Sequence, residues 1–584
     1  MSPRSAYFAA ALLTVFAAGC SHHPAAVPED AAAPATVPPS PPPPPVPPPS
    51  DAPPAVAQQV RRAEAAAAKA EARRLESVVV TGSVLSAPQS PVADRYAPEP
   101  EVRENYGHFD ANPVQRVAEQ PVSTFSIDVD TGAYANVRRF LNQGQLPPHD
   151  AVRVEELINY FDYADAPPPR SATPFAVHTE IGPTPWNPKT HLLRVGIQGW
   201  RPNAASLPPS NLVFLVDVSG SMNDPVKLPL VQASLKLLAK QLRHEDRVSL
   251  VTYAAGTQVV LEPTPGDDVG TISAAIDQLH AGGGTNGASG IQLAYQMAQK
   301  AFIKNGNNRV LLATDGDFNL GISNFEQLKN LVEERRRSGI ALTTLGVGTG
   351  NYNERLMEQI ADAGNGNYAY LDTLQEAQKV LVEQRAATLL TIARDVKIQL
   401  QFNPAVVAEY RLIGYENRAL KREDFSNDAV DAGEIGAGHH VTALYELALV
   451  GDGGERIEPL RYAQPAGRAS KSGELGFLRL RYKRPEDGVN AASQLIEQPI
   501  QRASIRSATQ TSEAYRLAAA VAAYGQLLRG GTYTGAFGYA DVVALARGAR
   551  GEDRNGYVGD FLQLVQLADS LQTQPAQAGR VGED

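Results

Sequence analysis

Three short stretches place oxygen-bearing side chains at intervals that suit a hard cation. Asp217-Val218-Ser219-Gly220-Ser221 alternates oxygen side chains, and Gly220 permits the tight turn that aims all three at one spot. Gly282-Gly283-Gly284-Thr285-Asn286 offers a hydroxyl at the start of a helical pattern, and Thr314-Asp315-Gly316 offers a second carboxylate at a strand end. All of these donors are hard oxygens, so Mg2+, Mn2+ or Ca2+ suits the set and Zn2+ does not. Two carboxylates and three hydroxyls leave such a cation incompletely coordinated, and a carboxylate from another molecule can complete the shell. That is binding chemistry rather than catalysis. P-loop, H-E-x-x-H and G-x-S-x-G patterns do not occur in the sequence.

Side chains so far apart in sequence need a scaffold that gathers strand ends. From Asn211 the chain alternates short apolar runs with helical stretches: Leu212 to Val216, then a helix from Lys227 to Leu242, then two close strands, Arg247 to Tyr253 and Gln258 to Leu261. Their proximity implies that one is an antiparallel edge. Helical patterns at Val269 to Leu279 and Ala288 to Phe302 precede strands at Val310 to Ala313, Ala341 to Gly346 and Tyr368 to Leu371. In a doubly wound sheet, ligands bind at the carboxyl ends of such strands. The three loops, in this order, resemble the metal-ion-dependent adhesion site of the von Willebrand factor type A family, over about residues 211–384. The resemblance implies a mostly parallel, Rossmann-like α/β sheet. It also implies metal ligation by Asp217, Ser219, Ser221, Thr285 and Asp315, some of them through water. Mg2+ is then the leading cation, and the partner is a protein presenting Asp or Glu.

The flanks read differently. Gly107 to Asp165 carries a strand and two helical patterns, and Phe175 to Ile181 and His191 to Gln198 alternate as strands. After the central domain, Val396 to Phe402, Val406 to Ile413, Val441 to Leu449 and Leu475 to Tyr482 are strands; Ala514 to Leu528, Tyr539 to Ala546 and Tyr557 to Leu571 are helices. An isolated hairpin is marginal in water, so the two sets of strands are expected to complete one β-sandwich into which the central domain is inserted. Ser126 to Gly132 reads as a strand end followed by a helix that Thr131 caps. Gly107-His108-Phe109-Asp110-Ala111-Asn112-Pro113 and Arg411-Leu412-Ile413-Gly414-Tyr415-Glu416-Asn417 resemble a bacterial family whose von Willebrand domain lies between two conserved regions.

The N-terminus reads as an address. Arg4 precedes an apolar run, Tyr7 to Ala18, and Ala17-Ala18-Gly19 leads into Cys20, the one cysteine among 584 residues. This is similar to a bacterial lipobox, which implies a lipid on Cys20 and, with Ser21 following, the outer membrane. Pro24 to Ala57, with five consecutive prolines from Pro41 to Pro45, cannot form a core and is expected to be a stalk. The expected organisation is signal peptide 1–20, disordered stalk 21–100, N-terminal flank 101–207, metal-binding domain 208–385, β-rich flank 386–490 and helical region 491–584. A formal charge of −10 disfavours nucleic acid as a partner. Two other readings stay open: an enzyme whose active site lies in the flanks, and a structural lipoprotein with an inert metal site.

Overall fold

The structure, a computed structural model, describes residues 104–127, 129–169, 173–203, 207–316, 325–350, 352–430, 432–461, 473–487 and 491–573. Cys20, the expected signal peptide and the expected stalk lie outside the described residues.

The N-terminal flank supplies strands β1 (Gln115–Arg116) and β2 (Val122–Ser126), helices Gly132–Asn142 and Val154–Asn159, and strands β3 (Phe175–Thr184) and β4 (Asn187–Gly199). The helix after β2 begins as expected, but Thr131 makes no side-chain cap. Glu156 caps it from another helix, its Oε2 accepting from the Ala133 amide at 2.8 Å. A carboxylate serves an orphan amide and the positive end of the helix better than a hydroxyl does.

The central sheet comprises β5 (Ser210–Asp217), β6 (Arg247–Tyr253), β7 (Thr257–Pro265), β8 (Asn307–Thr314), β9 (Ala341–Val347) and β10 (Tyr368–Leu371). Their order is β10-β9-β8-β5-β6-β7, parallel except for the edge strand β7. Helices cover both faces of this sheet. Leu212 to Val216 is accordingly an unbroken apolar run, because every residue of a central parallel strand is buried. The chain winds one way from β5 through β7 and the other way from β8 through β10. The switch point therefore falls between β5 and β8, whose carboxyl ends carry Asp217 and Asp315.

The remaining strands are β11 (Thr391–Phe402), β12 (Val407–Ile413), β13 (Ile435–Gly436), β14 (His440–Leu449), β15 (Glu474–Lys483) and β16 (Gln494–Gln501). They join the N-terminal strands in two antiparallel sheets, β1-β12-β14-β4-β3 and β13-β11-β15-β16, with β2 also paired to β11. The decisive pairing is β14 with β4, from His440 opposite Gln198 to Leu447 opposite His191. The central domain is thus inserted into a sandwich built by both flanks, whose shared core includes Phe125, Ile197, Ile398 and Leu447. Strand β16 lies within the stretch expected to be helical. It is an edge strand containing Pro499, and its alternating residues are only half covered, so its apolar signal is weak.

Helices Glu513–Leu528, Tyr539–Arg547 and Tyr557–Thr573 pack against the two N-terminal helices, with Tyr134, Leu157, Val521 and Phe561 in one core. Among the described residues, no helix is long and apolar enough to cross a membrane.

Candidate metal centre

Asp217 is the last residue of β5, and the chain then turns through a short 3-10 segment, Gly220–Met222. The Ser219 amide donates to Asp217 Oδ1 at 2.8 Å, folding the turn back on its first residue. Ser219 Oγ and Ser221 Oγ lie 3.0 Å apart. On the neighbouring strand Thr314 donates its hydroxyl to Asp217 Oδ2 at 2.9 Å, which ties the end of β8 to the end of β5. Asp315 follows directly. Both carboxylates are fully buried (0 % exposed).

Two backbone hydrogen bonds clamp the glycine loop to this turn: Gly220 N to Gly283 O at 3.0 Å, and Gly282 N to Val218 O at 2.8 Å. Gly283 has φ +84°, a conformation that any Cβ would strain. The loop delivers Thr285, buried, two residues ahead of the helix Gly287–Lys300. Gly316 is equally constrained. It has φ +85°, and a Cβ there would come within 2.8 Å of the Asn353 amide. Ser221 is half-buried and Gly220 and Gly282 to Gly284 are exposed, so solvent reaches the group from the loop side.

Electrostatics reinforce this reading. Burial pushes the Asp217 carboxyl above its ordinary range; Asp315 adds to that push, while hydrogen bonds from Ser219 and Thr314 oppose it. A cluster of buried oxygens with repelling carboxylates lowers its energy by taking up a hard cation, and Asp217, Ser219, Ser221, Thr285 and Asp315 fit one in donor type.

One participant escaped the sequence reading. Lys227, just ahead of the helix Leu228–Ala239, donates from Nζ to Asp315 Oδ2 at 2.9 Å. Local sequence carried no signal of it, because Asp315 stands 88 residues further on and only the fold brings the two together.

A second feature bears on the enzyme alternative. A cleft of about 840 Å3 lies where the sandwich, the C-terminal helices and the tail of the central domain meet. It is lined by Lys379, Glu383, His439, His440 and Tyr557 among others, but its described lining includes no Ser, Thr or Cys. Lys379 is occupied: its Nζ donates to the Tyr160 carbonyl at 2.8 Å and lies over the Tyr160 ring. Burial lowers its pKa to about 7. His440 Nε2 lies 3.1 Å from the Asn159 carbonyl, and Tyr557 donates to Glu383 at 2.8 Å. Lys379, His440 and Tyr557 thus each contact a neighbouring element.

With this geometry in place, comparison with known proteins defines the class. A family model for the von Willebrand factor type A domain matches residues 211–384, the inserted domain with its three loops. Models described as von Willebrand factor and as the C-terminal part of uncharacterized protein YfbK match residues 100–194 and 387–571. Uncharacterized protein YfbK of Escherichia coli is 50% identical over 474 residues, covering 80% of this chain and 81% of that protein. The chain belongs to the YfbK family of von Willebrand factor type A proteins. It is also similar to the rat inter-alpha-trypsin inhibitor heavy chain H3, 26% identical over 174 residues, which cover 28% of this chain and 19% of that one. Among solved structures, a von Willebrand factor type A protein from Catenulispora acidiphila aligns with TM-score 0.38 and 15% identity, over 68% of this chain and 91% of that one. The domain class points to protein interaction or adhesion.

Proposed function

We propose that this chain captures a protein partner in the bacterial cell envelope through a divalent cation, most simply Mg2+, held by Asp217, Ser219, Ser221, Thr285 and Asp315. The observation that carries the reading is the joining of three separate loops around two fully buried carboxylates that lie on neighbouring strands at the switch point of the sheet. When bound, the cation supplies a Lewis-acidic position that an Asp or Glu of the partner completes. The chain's own residues do the rest. Thr314 and the Ser219 amide fix the Asp217 carboxylate, backbone bonds through Gly282 and Gly283 clamp the loop that precedes Thr285 to the turn, and the exposed glycines leave an approach for the partner.

The sandwich receives the domain through two chain crossings, so a load on the partner is shared by both flanks. Lipidation at Cys20 would place the assembly on the outer membrane at the end of a proline-rich stalk. The test is capture from envelope extract by wild type and by Asp217→Ala, in Mg2+ and in EDTA. Proteins retained by wild type in Mg2+ alone support the reading. Equal capture by both proteins in EDTA overturns it and favours the inert-site alternative.

A further inference from the structure

The two ligand carboxylates are served by different kinds of donor. Asp217 accepts from an amide and a hydroxyl, both neutral. Asp315 meets an ammonium: Lys227 Nζ stands 2.9 Å from Oδ2, and both side chains are buried, at 9 % and 0 % exposure. Removing an ammonium and a carboxylate from water is costly, so such a pair persists only where the fold holds both ends. This fold does so. A Cβ at Gly348 would come within 2.3 Å of Lys227 Cε, and Gly348 has φ +81°, so the loop after β9 is shaped around the lysine stem. At the other end the Lys227 amide donates to Asp224 O at 2.9 Å, and its carbonyl accepts from Val231 at 3.0 Å, which fixes the residue where the helix begins.

We infer that Lys227 is a resident counter-ion of the metal site: it holds Asp315 in place when the divalent cation is absent and weakens that cation's hold when it is present. Both effects follow from one charge. Without a metal, Lys227 offsets the repulsion between two buried carboxylates. With a metal, the same ammonium repels a dication that shares Asp315 with it. The site is thereby tuned toward exchange, so that partner binding, which adds a carboxylate, is what retains the metal. This rests on the metal-site reading above and specifies its regulation.

The test titrates Mn2+ into the full chain by calorimetry, for wild type, Lys227→Met, Lys227→Gln and Asp217→Ala, with melting temperatures of the metal-free proteins measured alongside. Methionine keeps a stem to fill the space by Gly348, and glutamine keeps a hydrogen-bond donor for Asp315. Either lysine variant is expected to bind Mn2+ at least tenfold more tightly than wild type while melting at a lower temperature without metal. A merely structural lysine would move both properties down together. Unchanged or weaker Mn2+ binding in the lysine variants, with wild-type binding intact and lost in Asp217→Ala, overturns the counter-ion role alone. No Mn2+ binding by wild type overturns the metal site itself, and the counter-ion role with it.

Discussion

Two sets of buried carboxylates in the inserted domain differ in how their charge is met. Along its β10 edge, Asp372 and Glu376 both meet the guanidinium of Arg138, Nε to Asp372 at 2.7 Å and Nη2 to Glu376 at 2.7 Å, and Tyr160 adds a hydroxyl to Glu376 at 2.8 Å. Nearby, Arg418 reaches Glu358 at 3.0 Å and Asp362 at 2.7 Å, and Arg153 reaches Glu358 at 3.5 Å. These arginines come from the flanks, so the seam is built of planar cations set against carboxylates in fixed geometry. At the β5 and β8 ends the donors to Asp217 are neutral and the cation at Asp315 is a lysine. Charge balanced by arginine forks holds two bodies together. Charge met mainly by neutral donors is suited to receiving a metal.

The contrast is broken most forcefully at the seam. Arg138→Met leaves Asp372 and Glu376 buried without their cation, and the expected loss is about 3–5 kcal/mol in denaturant unfolding. A loss under about 1 kcal/mol would show that the seam is incidental.

Glu354 gives a pH-dependent version of the same point. It sits at the seam fully buried, and neither carboxyl oxygen has a hydrogen-bond partner among the described residues. Burial raises its pKa to about 8; Arg153 opposes the rise, and Glu358 and Glu155 add to it. A pKa raised on folding contributes stability that is complete below the unfolded value, near 4.5, and is lost as pH climbs through about 8. From this group alone, stability is expected to fall by up to about 1.4 kcal/mol per pH unit across that window. Glu354→Gln should flatten the slope, as read from urea midpoints between pH 5 and 9. An unchanged slope would assign the dependence elsewhere.

The smallest expected change has the opposite sign. Burial disfavours the ionised Asp217, so Asp217→Asn should slightly raise the melting temperature of the metal-free protein while removing metal binding. Destabilisation there would make Asp217 a structural carboxylate like those of the seam, and the contrast would collapse.

The two regions were not equally legible. Asp217, Ser219 and Ser221 stand within one turn, and Thr285 and Asp315 each stand beside a glycine at an element end, so local spacing pointed to each loop and the family resemblance joined them as one proposed set. The joining of β4 to β14 could be read from strands that lacked partners for their edges, although 240 residues separate Gln198 from the Gly438 carbonyl it bonds. The seam gave no such signal. Arg138 and Asp372 are 234 residues apart, and an arginine on a helix next to Arg139 reads as a solvated face until the fold buries it. Lys227 and Asp315, 88 apart, were hidden for the same reason: their relation exists only once β8 and β9 lie beside the helix that Lys227 begins.

In the proposed site, five oxygens on three loops hold one dication. The most direct measurement is anomalous diffraction from crystals of this protein soaked in Mn2+. The expected result is a single strong peak between the Asp217 to Ser221 turn, Thr285 and Asp315, with protein oxygens at about 2.0–2.6 Å and the rest of the shell supplied by water. Mn2+ bound only elsewhere, or no peak among these loops at saturating metal, would contradict it.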